Sequence, residues 1–246
     1  MGVSYNTKTV TNGLIYLLDP GNRKCFTNTS AVIPDLVSSN TSTISGTYGY
    51  DTTSYSTPVI TLNNNSTTSN GTIAVTTANL SQLAIANTLT VMFAAKKNFF
   101  GLSGNNNGNS QIFQGVVNGY TSGWRIYDTN QGTPGNAFTG QHSWGIGYND
   151  INTSLGINDS SSTNRMCIVA FSISPTTITA FCNGTFTTRS NPGTYVGGAS
   201  TPIISFTGAG AGSWNGFVGY FALYNRTLTS AEIIQNFNAL RGRYDI

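Results

Sequence analysis

A strand that runs directly into a capped amphipathic helix occupies residues 216–244 (GFVGYFALYNRTLTSAEIIQNFNALRGRY). Thr229 stands where an N-cap belongs, and Glu232 three residues later completes a capping box. Leu228 and Ile233 fall at the two positions of a hydrophobic staple. Ile233, Phe237 and Leu240 recur at helical spacing, and Gly242 offers a left-handed stop. No other segment carries a convincing helix signal. A chain of short strands closed by a single helix predicts a sandwich or barrel, because a parallel sheet would need helices between its strands.

Turns and alternating runs set the strand expectations. Residues 13–19 (GLIYLLD) form an apolar run that ends in the turn signal Pro20-Gly21-Asn22. Residues 38–70 are poor in large apolar side chains, so an extended loop or short edge strands are expected there, with residues 59–62 the one clear strand. Asn70-Gly71 reads as a hairpin-type turn before a strand at 72–78, and a further strand covers 88–94. Residues 99–110 are rich in Gly and Asn and predict a loop. A hairpin is expected from 111–117 and 123–128, a strand at 143–148, and then a polar loop to residue 164. The clearest hairpin joins 165–173 to 177–182, and Asn183-Gly184 turns the chain again. Final strands fall at 202–206 and 217–224. Residues 1–11 read as an arm or edge strand and residues 12–246 as one domain; both this arm and residues 241–246 are candidate attachment arms.

The chain has 246 residues, 38% of them hydrophobic, enough for a sandwich core without staples. Only 8% are charged, against about 25% in ordinary soluble domains. Asn, Thr, Ser and Gly must therefore cover the surface. The net charge of +3 comes from separated pairs such as Arg23-Lys24, Lys96-Lys97 and Arg241/Arg243, which is no footprint for nucleic acid. Residues 1–13 lack the apolar segment of a signal peptide, and no run approaches the roughly 20 apolar residues of a membrane helix. The chain is thus expected to be made in the cytoplasm, with neither membrane nor nucleic acid as partner.

Three cysteines show no metal spacing. A hairpin centred on Ser174-Pro175 would set Cys167 opposite Cys182, so either a cross-strand disulfide or two buried thiols is expected, the thiols favoured without export. Asn-X-Ser/Thr triplets, as at Asn28, Asn40 and Asn183, follow from the composition.

Residues 164–188 (NRMCIVAFSISPTTITAFCNGTFTT) resemble the central hairpin of concanavalin A-like jelly-roll domains of the laminin-G-like type. The ending FVGYFALYNRTLTSAEIIQNF is similar to the last strand and helix of that family, and the opening TNGLIYLLDPGNRKCF resembles such domains in virion proteins of tailed bacteriophages. The resemblance spans residues 10–246. Two departures stand out: Met166 replaces a usual Trp, and residues 27–58 keep only Asp35-Leu36 of a usual loop. The resemblance implies an all-β, concanavalin A-like jelly-roll β-sandwich of two antiparallel sheets with one short C-terminal helix. It also implies carbohydrate binding in many relatives, glycan cleavage in a few and scaffolding in others; fold alone does not choose.

Inventory narrows the choice. Glycoside hydrolysis usually needs two carboxyl groups at a set separation. The single glutamate, Glu232, is accounted for by the helix cap, and the seven aspartates stand singly in the sequence. His142 is the single histidine, and no acid lies beside it in the sequence to suggest a triad. The chain is therefore expected not to be an enzyme and to need no cofactor. Calcium is a weaker alternative: Asp150, Asn152, Asn158 and Asp159 are expected in one loop, and Asp19 lies near Asn22, although plain turn chemistry explains both groups. A glycan site wants exposed aromatics beside amides and hydroxyls. Trp214, in a Gly-rich loop, leads the candidates, followed by Tyr120 in a turn and by Trp124 and Trp144; Tyr127 and Tyr148 are further candidates. Taken with this missing catalytic inventory, the resemblance at both ends of the chain implies a non-enzymatic phage virion structural protein, a capsid decoration or accessory tail or fibre component. Its partners would be other virion proteins, with a symmetric homo-oligomer as one arrangement. The alternative is a carbohydrate-binding adhesion module that recognises host-surface glycans.

Overall fold

The computed structural model describes residues 8–25, 30–38, 41–62, 72–76, 88–97, 109–117, 122–129, 143–148, 151–158, 165–190, 203–207 and 216–246, and the side chains of 8–25, 30–38, 41–62, 88–96, 165–190 and 216–246. The strands in chain order are β1 (Leu14–Leu18), β2 (Val32–Pro34), β3 (Thr41–Ser45), β4 (Tyr48–Asp51), β5 (Val59–Leu62), β6 (Thr72–Thr76), β7 (Leu89–Lys97) and β8 (Asn109–Val117). They continue as β9 (Ser122–Thr129), β10 (Ser143–Tyr148), β11 (Ile151–Asn158), β12 (Cys167–Ile173), β13 (Thr177–Cys182), β14 (Thr185–Ser190), β15 (Ile203–Thr207) and β16 (Gly216–Tyr224). Helix α1 (Ser230–Leu240) and a 3-10 turn (Arg241–Arg243) follow. This is the expected all-β jelly-roll sandwich, and every strand pair among the described residues is antiparallel.

One layer is an eight-stranded sheet ordered β14-β13-β12-β7-β16-β5-β4, with β1 also on β16. The other divides into a five-stranded sheet, β11-β10-β9-β8-β15, and a three-stranded sheet, β2-β3-β6, whose β6 lies against β15. Along one side of β16, β5 pairs at residues 216–218 and β1 at 221–224, leaving a gap between them; on the other side the pairing with β7 shifts register between Val218 and Tyr220. At that gap the Tyr244 hydroxyl donates to the Gly219 carbonyl at 2.5 Å, and its ring lies where a Cβ on residue 219 would go.

Both faces of the eight-stranded sheet are buried at its central strands β12, β7 and β16. One face carries Val91, Phe93, Val169, Phe171, Phe221 and Leu223, packed with Ile33 and Ile44 of the three-stranded sheet. The Tyr16 hydroxyl bonds the Ser42 hydroxyl across the same layer boundary. The opposite face carries Met92, Ile168, Phe181, Tyr220 and Tyr224, and helix α1 covers it with Ile233, Phe237 and Leu240. This double cover explains why all seven residues of β12 are buried. The inside positions of a sheet with one wet face would alternate with polar ones.

The capping box forms as the sequence predicts. The Glu232 amide donates to Thr229 Oγ1 at 3.3 Å, and the Thr229 amide donates to Glu232 Oε2 at 2.9 Å. Leu228 and Ile233 are both buried in the cluster under the helix. Asn236, fully buried on the same helix, accepts from the Val10 amide at 2.7 Å and donates to the Tyr224 hydroxyl at 3.0 Å, which itself donates to the Val10 carbonyl at 3.0 Å. This closed triangle satisfies three otherwise orphaned buried groups and ties the start of the described chain to the helix.

Several expectations change. Gly242 is not left-handed: the helix tightens into the 3-10 turn through Arg241, and the positive φ (57°) falls on Asp245. Residues 241–246 do not form a projecting arm; Tyr244 is buried and Arg243 pairs with Asp19. The 165–182 hairpin turns on four residues, Ser174 to Thr177, closed by the Ser174 amide on the Thr177 carbonyl at 2.8 Å. That shifts the register by two, so Cys182 faces Val169 and Cys167 faces Ala95. All three cysteines are buried free thiols. The polar stretch 151–158, expected as loop, is strand β11. Segment 38–70 contains β3 and β4 as well as β5. Asn70-Gly71 lies outside the described residues, and β5 and β6 belong to different sheets, so no hairpin joins them. Asn183 (φ 43°) and Gly184 (φ 102°) do form the two-residue turn between β13 and β14.

Candidate functional site

Register sorts the five-stranded sheet into two series of positions. Trp124, Ile126 and Asp128 of β9 stand opposite Tyr148, Ile146 and Trp144 of β10. The same series continues through Ile157 and Leu155 of β11 and Phe113 of β8. The alternate series has a different chemistry. Tyr127 stands opposite Gly145 on one side and Gln111 on the other, and Gly145 stands opposite Gly156. Arg125 stands opposite Gly147 and Gln114, and Ser143 opposite Asn158 and Thr129. Residues two apart on a strand share a face. One series of this sheet is therefore mostly bulky and apolar, with Asp128 and Gly115 among it; the other is mostly glycine, amide and hydroxyl with one tyrosine and one arginine, and also holds Val116 and Ile203.

The expected glycan candidates divide accordingly. Trp124 and Trp144 fall in the apolar series, with Ile126 and Ile146 between the two rows. Tyr127 falls in the polar series. Trp214 and Tyr120 lie outside the described residues. Sequence reasoning did not single out Arg125; the alternation in SGWRIYDT was the available signal.

The expected calcium loop is not one loop. Asn152 and Asn158 lie near opposite ends of β11, six residues and hence about 20 Å apart along the strand. Asp150 and Asp159 lie outside the described residues. The Asp19–Asn22 option is taken up differently: Arg243 Nη1 donates to Asp19 Oδ2 at 3.0 Å and Nη2 to Oδ1, so a guanidinium occupies that carboxylate. Gly21 makes room for this pair, because a Cβ there would fall on Arg243 and on Thr57 Oγ1. Asn22 instead accepts from the Lys24 amide at 3.0 Å, an Asx turn. Among the described residues no group of three metal-ligating side chains comes together.

Asp35, Asp51 and Glu232 are engaged locally. Asp35 accepts from the Leu17 and Val37 amides at 2.9 and 3.0 Å and from the Ser38 hydroxyl. Asp51 accepts from the Ser54 and Thr53 hydroxyls and amides, chiefly the Ser54 hydroxyl, which holds its carboxyl down at about 2. Glu232 is also held at about 2, first by the Arg226 guanidinium at 2.6 and 2.9 Å and then by the Thr229 amide.

No protein-family model and no curated protein matches the sequence. Solved structures do match. The binding domain of botulinum neurotoxin DC in complex with rat synaptotagmin II has a TM-score of 0.64 at 16% identity, covering 94% of this chain and 52% of that one. The same binding domain in complex with SialylT has a TM-score of 0.65 at 16% identity, again covering 94% and 52%. Domain 4 of AbnA, a GH43 extracellular arabinanase from Geobacillus stearothermophilus, in complex with arabinotriose, has a TM-score of 0.57 at 14% identity, covering 92% of this chain and 98% of that one. The chain thus spans about half the length of the neurotoxin binding domains and nearly all of the arabinanase domain. At these identities the likeness shows the fold alone: an antiparallel jelly-roll β-sandwich with one C-terminal helix.

Proposed function

We propose that the chain is a non-catalytic carbohydrate-binding module whose ligand floor is the glycine-and-amide face of the five-stranded sheet. The observation that carries this is the register of β8 to β11, which gathers Tyr127, Arg125, Gln111 and Gln114 beside Gly145, Gly147 and Gly156 on one face. Sugar rings need an aromatic plane and fixed amide or guanidinium partners. Glycine rows let a ring approach the backbone closely. The apolar series, with Trp124 and Trp144, matches the core requirement of a sandwich, which packs one face of each sheet inward. Two of the structural neighbours are complexes with arabinotriose or SialylT, which supports a binding role. The virion role expected from the resemblance draws no such support, so adhesion becomes the main reading. Catalysis remains outside the proposal because Glu232, Asp19, Asp35 and Asp51 are held in a cap, turns and ion pairs.

A glycan array followed by titration calorimetry tests this. Wild type binds at least one oligosaccharide class, and Tyr127→Ala weakens it by at least about tenfold, roughly 1.4 kcal/mol. Wild type that binds no glycan sinks the proposal. So does a loss that follows Trp214→Ala while Tyr127→Ala binds normally, which would move the site to the rim loop.

A further inference from the structure

The polar face of the five-stranded sheet has one charged position, and its sign and neighbours select a class of sugar. Arg125 of β9 stands between Gln114 of β8 and Gly147 of β10. Tyr127, two residues on, stands between Gln111 and Gly145, about 7 Å along the strand, the scale of one sugar ring. No aspartate or glutamate occupies a position of this series in β8 to β11; Asp128, the acid of β9, falls in the apolar series opposite Trp144. No second charged position belongs to this series in β8 to β11. The planar fork of a guanidinium matches a carboxylate in two parallel hydrogen bonds, a geometry an ammonium cannot reproduce. The empty glycine positions Gly145 and Gly147 beside Tyr127 and Arg125 leave a strip of bare backbone along β10.

We infer that the ligand is an acidic oligosaccharide whose sugar carboxylate is received at Arg125 while an adjacent ring lies over Tyr127. This inference rests on the carbohydrate-binding reading of the same face and names its substrate class. A neutral glycan would need the tyrosine and the amides but would gain nothing from the arginine. A sulfate also presents paired oxygens to a guanidinium, so a sulfated probe is needed to separate the two anions.

The test uses the whole chain and a set of defined probes: neutral oligosaccharides, uronate oligomers, sialylated oligosaccharides, carboxyl-reduced forms of both acids, and a sulfated oligosaccharide. Calorimetry reads the affinity of each. Wild type is expected to bind one acidic probe at least tenfold more tightly than its carboxyl-reduced form and than the sulfated probe. Arg125→Lys, which keeps the charge, is expected to lose at least tenfold toward the acid, and Arg125→Gln to bring acid and reduced form level. Thermal unfolding of both variants verifies the fold, and the wild-type comparison of acid with reduced form stands without any variant. Equal affinity for acid and reduced form, or for acid and sulfated probe, overturns the carboxylate inference while the binding face survives. An array with no glycan bound, or binding insensitive to Tyr127→Ala, overturns both.

Discussion

Strands β12 and β9 show two ways to build a sheet. In β12 (CIVAFSI) every residue is buried, because one face meets the second layer and the other meets helix α1. Strand β9 (SGWRIYDT) alternates in its central residues, Trp124 and Ile126 against Arg125 and Tyr127, and its partners across the register alternate with it. The eight-stranded sheet has its helix; among the described residues no helix lies against the five-stranded one. A sheet covered on both sides can only hold the fold together. A sheet with one apolar series holds the fold with that series and leaves the other for chemistry. Substitutions in the two sheets should therefore be read on different instruments.

The largest effect should come from the doubly covered sheet. Phe221 is fully buried, stacks on Phe93 at 6.4 Å and meets Tyr16 edge-on at 6.2 Å. Phe221→Ala should cost about 3–5 kcal/mol in denaturant unfolding; a cost below about 1 kcal/mol would break the contrast at its strongest point. Next comes the polar triangle under the helix. Asn236→Ala leaves the Val10 amide without an acceptor and should cost about 1–3 kcal/mol, with faster hydrogen exchange at Val10. If exchange at Val10 stays slow, the N-terminal segment is held by something other than this side chain.

A smaller effect is set by pH. The Glu232 carboxyl sits at about 2 in the folded chain against an ordinary 4.5. As pH falls, the unfolded chain takes up this proton first. The contribution is therefore complete above about pH 4.5 and is lost as the pH falls toward 2. Its side chain is 27% exposed, so the pair with Arg226 is worth less than about 1 kcal/mol. Glu232→Gln should flatten the acid limb of a stability-versus-pH curve measured from pH 6 to 2. The smallest stability effect belongs to the polar face: Tyr127→Ala should change unfolding free energy by less than about 0.5 kcal/mol while glycan affinity falls. A large stability loss there would erase the distinction between the two sheets.

Local chemistry was legible in the sequence, and long-range pairing was not. The capping box, the Asn183-Gly184 turn and strands 143–148 and 177–182 follow from residues a few positions apart, and each appears where it was expected. Strand β11 (INTSLGIN) was missed because its apolar positions are diluted by Asn, Thr and Ser, which also write loops. The Asp19–Arg243 pair joins residues separated by 224 positions, so no window could reveal it. The hairpin register slipped by two because Pro175 and Thr176 both fit a turn and only the Ser174–Thr177 bond decides. The candidate site was half visible. The alternation of WGIGY and GWRIYD is plain, but which tryptophans share a face with which glycines depends on how three strands line up.

The strand of the largest sheet with the most partners is also the last in chain order among the described strands. Strand β16 pairs with β7 on one side and with β5 and β1 on the other, and the helix that covers the sheet follows it directly. Until residues 216–240 have emerged, β7 has no neighbour on one side, β1 has none at all among the described strands, and the Met92–Ile168 face is bare. The largest sheet is thus completed only by insertion of β16 between β7 on one side and β5 and β1 on the other. A chain stalled before that point would carry open, apolar strand edges of the kind that chaperones bind and proteases clear.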